Sequence, residues 1–63
     1  MTKKPKKYIC YINKKIDGKY YRIYLGIYTS INESEARRCG FADHKNNLFL
    51  EENEMTDIDC IPL

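Results

Sequence analysis

The 63-residue chain has no tryptophan, a single histidine, two prolines and three cysteines. Cys10, Cys39 and Cys60 are odd in number and contain no CxxC pair, so the sequence offers neither a disulfide framework nor a zinc site. Cys10 and Cys39 read as small core residues, and a reducing, cytoplasmic setting is expected. Long apolar runs are missing too. The stretch Tyr8 to Ile12 falls far short of a signal-peptide core or of the roughly 20 residues of a membrane span, so a soluble chain with no membrane partner is expected.

A chain of this length forms one domain and buries only about 60% of the surface that its unfolded form exposes. Such a domain has little room for both a core and a walled pocket. A binding face on the outside of a sheet is therefore expected, with no catalytic residue, metal or cofactor assigned. The segment Asp43-His44-Lys45-Asn46-Asn47 resembles the core of HNH nucleases, but without a second ligand pair His44 reads as a helix-terminal residue that favours the dipole.

The formal net charge of +2 conceals an asymmetry. Residues 1–28 carry eight Lys/Arg against Asp17 alone, while residues 29–63 carry three against eight Asp/Glu. The first half suits an anionic partner, and the second ends in an acidic tail.

Residues 1–7, Lys-rich and broken by Pro5, read as a flexible basic arm. Tyr8 to Lys15 and Tyr20 to Tyr28 are rich in β-formers, and the Asp17-Gly18 turn signal between them predicts a hairpin. Alternation places Cys10, Ile12, Ile23, Leu25 and Ile27 on a core face. It places Tyr11, Asn13, Lys15, Tyr20, Arg22, Tyr24 and Tyr28 on the other face, a row of rings interleaved with cations and amides that reads as a contact surface.

Ser30 with Glu33, and Asn32 with Glu35, each have helix-start spacing, predicting a helix from about Asn32 to about Asn47. Its apolar side would be Ile31, Cys39, Ala42 and Phe49, with Ala36 nearby. Arg37 and Arg38 oppose the dipole near the helix start, and a phosphate clamp would account for them. Leu48 to Leu50 fits either a last helical turn or a short extra strand. The expected fold is α+β: an antiparallel two- to three-stranded sheet packed against one C-terminal helix. Residues 8–50 form the sheet-plus-helix domain, and 51–63 are a loose acidic tail. A hairpin alone is marginal, so either the helix suffices to cover it, or a third strand comes from elsewhere in the chain, or an exposed edge pairs with a second copy as a homodimer.

The run Arg22-Ile23-Tyr24-Leu25-Gly26-Ile27-Tyr28, followed by Thr29-Ser30 and the Glu33 to Arg38 helix start, resembles the Apetala-type (ethylene-response-factor) DNA-binding domain. The arm-type DNA-binding domain of tyrosine integrases is similar in plan. The likeness covers roughly residues 8–47 and lacks the family's first strand and its tryptophans. It implies a three-stranded sheet in the DNA major groove, backed by a helix, with contacts from Tyr11, Asn13, Arg22 and Tyr24.

The expected function is thus a small DNA-binding module, of the kind a phage or mobile element would encode, that contacts duplex DNA through Tyr11, Asn13, Lys15, Tyr20, Arg22, Tyr24, Arg37 and Arg38. The alternative is a protein-binding inhibitor or adaptor, for example one that blocks a host nuclease, using the Tyr-rich face or the acidic tail. A further expectation is that Glu51 to Asp59 folds back over the basic half and masks it.

Overall fold

The computed structural model describes residues 4–63. Strands β1 (Lys6–Ile16) and β2 (Lys19–Ser30) form the hairpin, helix α1 (Glu33–His44) follows, a 3-10 helix spans Glu52–Asp57, and β3 (Ile58–Pro62) completes the chain. The sheet is antiparallel in the order β2-β1-β3. The α+β plan with a sheet on one helix is as expected. The basic arm expected over 1–7 falls partly outside the described residues, and Lys6 and Lys7 already belong to β1.

Asp17 and Gly18 link Ile16 to its partner Lys19 with φ of 50° and 81°. Two positive values in a two-residue loop match the right-handed twist of the flanking strands, which is why Asp-Gly marks the turn. From there the register runs evenly to Tyr11↔Tyr24 and then breaks, because Cys10 pairs with Gly26 and Leu25 is left over as a β-bulge. Gly26 takes φ 144°, a conformation that side chains rarely adopt.

The extra residue reverses the parity of the last part of β2. Ile27, expected in the core, is about half exposed on the open face. Tyr28, expected on the open face, turns to the helix side and donates from its hydroxyl to Asp43 Oδ2 at 2.9 Å. The bulge frees the Leu25 carbonyl, and His44 Nε2 sits 2.6 Å from it. Asp43 and His44 thus hold the end of α1 to β2.

Asn32 is the helix cap, its Oδ1 accepting from the Glu35 N–H at 2.9 Å, and Glu33 and Glu35 place negative charge at the first turn. The buried side of α1 is Ala36, Gly40 and Phe41. The stripe expected from the sequence faces water instead: Ile31, Cys39, Ala42 and Phe49 are exposed. Closeness decides which side is buried. A Cβ at Gly40 would meet Leu25 Cδ1 at 3.3 Å and Cys10 Cβ at 3.9 Å, so the Ala36-Gly40 step, one turn apart, lets the helix backbone approach the sheet.

Regular helix ends at His44, and Leu48 closes one further turn, its N–H donating to His44 O at 3.0 Å, so of the two readings of Leu48 to Leu50 the last turn fits and the extra strand does not form. Leu50 N–H donates to Lys45 O at 2.9 Å, while Phe49 takes a left-handed φ of 53°. This is a Schellman-type stop that drops Leu50 into the core.

The expected loose tail is built structure. Glu51 and Glu54 bond reciprocally at the start of the 3-10 helix, and Lys14 Nζ holds Glu54 Oε2 at 2.7 Å. In β3, Ile58 pairs with Ile12 and Cys60 with Cys10, and all four are buried. These residues form the core with Tyr8, Leu25, Ala36, Phe41 and Leu50. β3 spans only Tyr8 to Ile12 of its neighbour, so the hairpin beyond Ile12 projects as a two-stranded ribbon from a molecule 46 Å long and 19 Å by 16 Å across.

Candidate functional site

Helix α1 and the 3-10 helix lie on the Cys10/Ile12 side of the sheet, leaving the opposite face open. Strand register arranges that face in cross-strand rows. Ile27, Ile9 and Ile61 form one row, Tyr24, Tyr11 and Asp59 the next, then Arg22 with Asn13, and finally Tyr20 with Lys15 on the ribbon.

The middle rows form one connected cluster. The Tyr11 and Tyr24 rings lie 5.7 Å apart, tilted by 60°, and the Arg22 guanidinium stacks 4.6 Å from the centre of Tyr11. Arg22 Nη1 donates to Asp59 Oδ2 at 3.0 Å and to Asn13 Oδ1 at 3.4 Å, and Asn13 Nδ2 donates to the same Asp59 oxygen at 3.2 Å. Lys15 Nζ sits 5.7 Å from the Tyr20 ring centre. With Arg22 and Asp59 both about half exposed, their ion pair is worth little to stability. Its effect is to fix the direction of the guanidinium. Arg22 Nε and Nη2 have no hydrogen-bond partner among the described residues.

Six of the eight residues singled out from the sequence therefore share one surface: Tyr11, Asn13, Lys15, Tyr20, Arg22 and Tyr24. Arg37 and Arg38 do not join them, because α1 covers the opposite face. Arg37 Nε donates to Ile58 O at 3.0 Å and its Nη2 reaches Glu33, tying the helix to the outer side of β3. Arg38 is exposed, 4.0 Å from Glu35.

The acidic segment also meets the basic half, at two points, Asp59 with Arg22 and Glu54 with Lys14. The Lys14 hydrogen bond holds the Glu54 carboxyl below its ordinary pKa.

Sequence reasoning missed Asp59, Ile9, Ile27 and Ile61 as members of the face. Two signals could have found them. Glycine inside a strand marks a bulge, and apolar residues alternate with Asp59 over Ile58 to Cys60.

Among the described residues no cavity opens, no group of three His, Cys, Asp or Glu could hold a metal, and no helix is long and apolar enough to cross a membrane. No protein-family model, curated protein or solved structure matches the chain.

Proposed function

We propose that the chain is a DNA-binding module that sets its open sheet face and projecting hairpin ribbon into the major groove, and that it acts by binding rather than by catalysis. The observation that carries this reading is the gathering of Tyr11, Asn13, Lys15, Tyr20, Arg22 and Tyr24 on the uncovered face. A two-stranded ribbon fits the groove. The free side of the Arg22 fork suits guanine O6 and N7 or a phosphate, and the nearby amide of Asn13 suits adenine. Lys6, Lys7, Lys15 and Lys19 supply counterion-release affinity along the same hairpin, with Lys4 just before it. The Apetala-type likeness points to the same strands, with the edge that the family fills from before the hairpin filled here by β3, from after the helix.

Fluorescence anisotropy of the full chain with a labelled duplex tests this. Affinity should fall steeply with salt, with a log–log slope on the order of −3 to −5. Arg22→Ala with Tyr24→Ala should weaken binding by roughly tenfold or more. Asp59→Asn, which removes the one carboxylate among these rows, should tighten it roughly threefold at low salt. A flat salt response, or affinity untouched by the double substitution, overturns the proposal.

The row Ile27-Ile9-Ile61, exposed at Ile27 and Ile61, favours a second reading, a protein partner docked on the same face, since DNA gains little from an isoleucine strip. Ile27→Lys separates the two: it would abolish protein capture and leave or improve DNA affinity.

A further inference from the structure

The Cys10 and Cys60 thiols take no part in the open face. They lie behind it, opposite each other in the β1–β3 register, with their Sγ atoms 2.6 Å apart. Both are free and buried, whereas Cys39 is exposed on α1. Cross-strand partners in an antiparallel pair have Cα separations of about 4.5–5.5 Å, inside the range a disulfide spans without backbone movement.

We propose that Cys10 and Cys60 are a redox pair that forms an intramolecular disulfide when the chain meets a low-molecular-weight disulfide such as oxidised glutathione, covalently fastening β3 to the centre of the sheet. One cysteine thiolate attacks the glutathione disulfide, forming a mixed disulfide and releasing one glutathione thiolate. The second cysteine, deprotonated, attacks the mixed disulfide at the protein sulfur, forms the Cys10–Cys60 bond and releases the second glutathione. The two cysteines together lose two protons and two electrons, and the oxidised glutathione is reduced to two molecules of the thiol.

Two features favour the bond once it can form. The strand register brings the two cysteines back opposite each other whenever β3 redocks, so the second step is intramolecular. The closed loop also joins residues 50 positions apart, which removes a large part of the unfolded chain's freedom. Burial pushes the Cys10 thiol up to about 12, so in the docked state the pair is inert and exchange proceeds when β3 lifts from β1. The disulfide would hold Asp59, which precedes Cys60 and points to the other face, beside Arg22. This inference does not rest on the DNA-binding proposal.

The test is refolding of full-length Cys39→Ser protein from denaturant in oxidised glutathione, which gives both thiols access before β3 docks. The expected product is a monomer lighter by about 2 Da, with peptides carrying Cys10 and Cys60 linked until reductant is added. Its Tm should exceed that of the reduced form by roughly 10 °C or more, and the amides of Asp59 to Ile61 should exchange more slowly. Adding Cys60→Ser should abolish both the mass loss and the Tm gain. Stable glutathione adducts on both cysteines, two free thiols, or a linked product less stable than the reduced protein would overturn the proposal.

Discussion

Ile58→Ala tests whether the acidic C-terminal segment belongs to the fold. Ile58 is 1% exposed and faces Ile12, itself 0% exposed, across β1 and β3. The substitution deletes three carbons, about 2.4 kcal/mol at about 0.8 kcal/mol for each buried carbon, and the cavity left beside Ile12 raises the cost to about 3–4 kcal/mol. A domain of this size has a total stability of about 3–9 kcal/mol, so the loss is a large fraction of it. Ile61→Ala provides the control. It lies on the same strand but on the open face, 47% exposed, and should cost less than about 1 kcal/mol. Urea unfolding followed by far-UV circular dichroism reads both, with Ile58→Val, expected at about 0.5–1.5 kcal/mol, covering the case in which the alanine variant does not fold. Equal midpoints for Ile58→Ala and Ile61→Ala would refute the docked third strand.

Phe49 occupies a left-handed conformation and is 85% exposed, so Phe49→Gly should relieve backbone strain and raise stability by about 1 kcal/mol, visible as a higher urea midpoint. Burial and the hydrogen bond to Asp43 push the Tyr28 hydroxyl well above its ordinary pKa of 10.0. Its folded value therefore exceeds its unfolded one, and the stability it contributes is complete below about pH 10 and drains away as pH rises toward the folded value. Cys10 acts in the same direction from about pH 9 upward, so urea midpoints should drop from there, and Tyr28→Phe should flatten the fall above pH 10. Glu54 has the opposite sign. Lowered from 4.5 chiefly by the Lys14 hydrogen bond, it contributes stability above that pH which is lost as pH falls through the folded value, and Lys14→Met should shrink that acid loss.

The hairpin was legible from its residues because β-formers flank an Asp-Gly pair whose two positive φ values the turn requires. Face assignment by alternation worked from the turn as far as Leu25 and then failed at Ile27 and Tyr28, because strict period 2 assumes no bulge. The helix start was legible in Asn32 and Glu35, but its buried side was not. A count of large apolar residues selected Ile31 and Phe49, whereas close approach over Gly40 selected Ala36, Gly40 and Phe41. β3 was hidden by composition: Ile58 and Cys60 are its only two buried side chains, set among Asp57, Asp59 and the glutamates, and their meaning depends on Ile12 and Cys10 more than 45 positions away. The six sheet residues of the candidate face needed only the hairpin, whereas the position of Arg37 and Arg38 away from that face depends on which side of α1 packs on the sheet, and the chemistry of two arginines does not carry that.

The strand order has a consequence for how the molecule is made. β1 lies at the centre of the sheet yet is synthesised first, and its second neighbour begins at Ile58, after α1 and the 3-10 helix have been made. Until β3 arrives, the edge of β1 from Tyr8 to Ile12 is an unfilled slot with a fixed register. That slot cannot distinguish the strand of its own chain from the identical strand of a neighbour. In a crowded refolding reaction the β3 of a neighbour therefore competes for that slot at the same register. Dilution, rather than any further contact, favours the monomer.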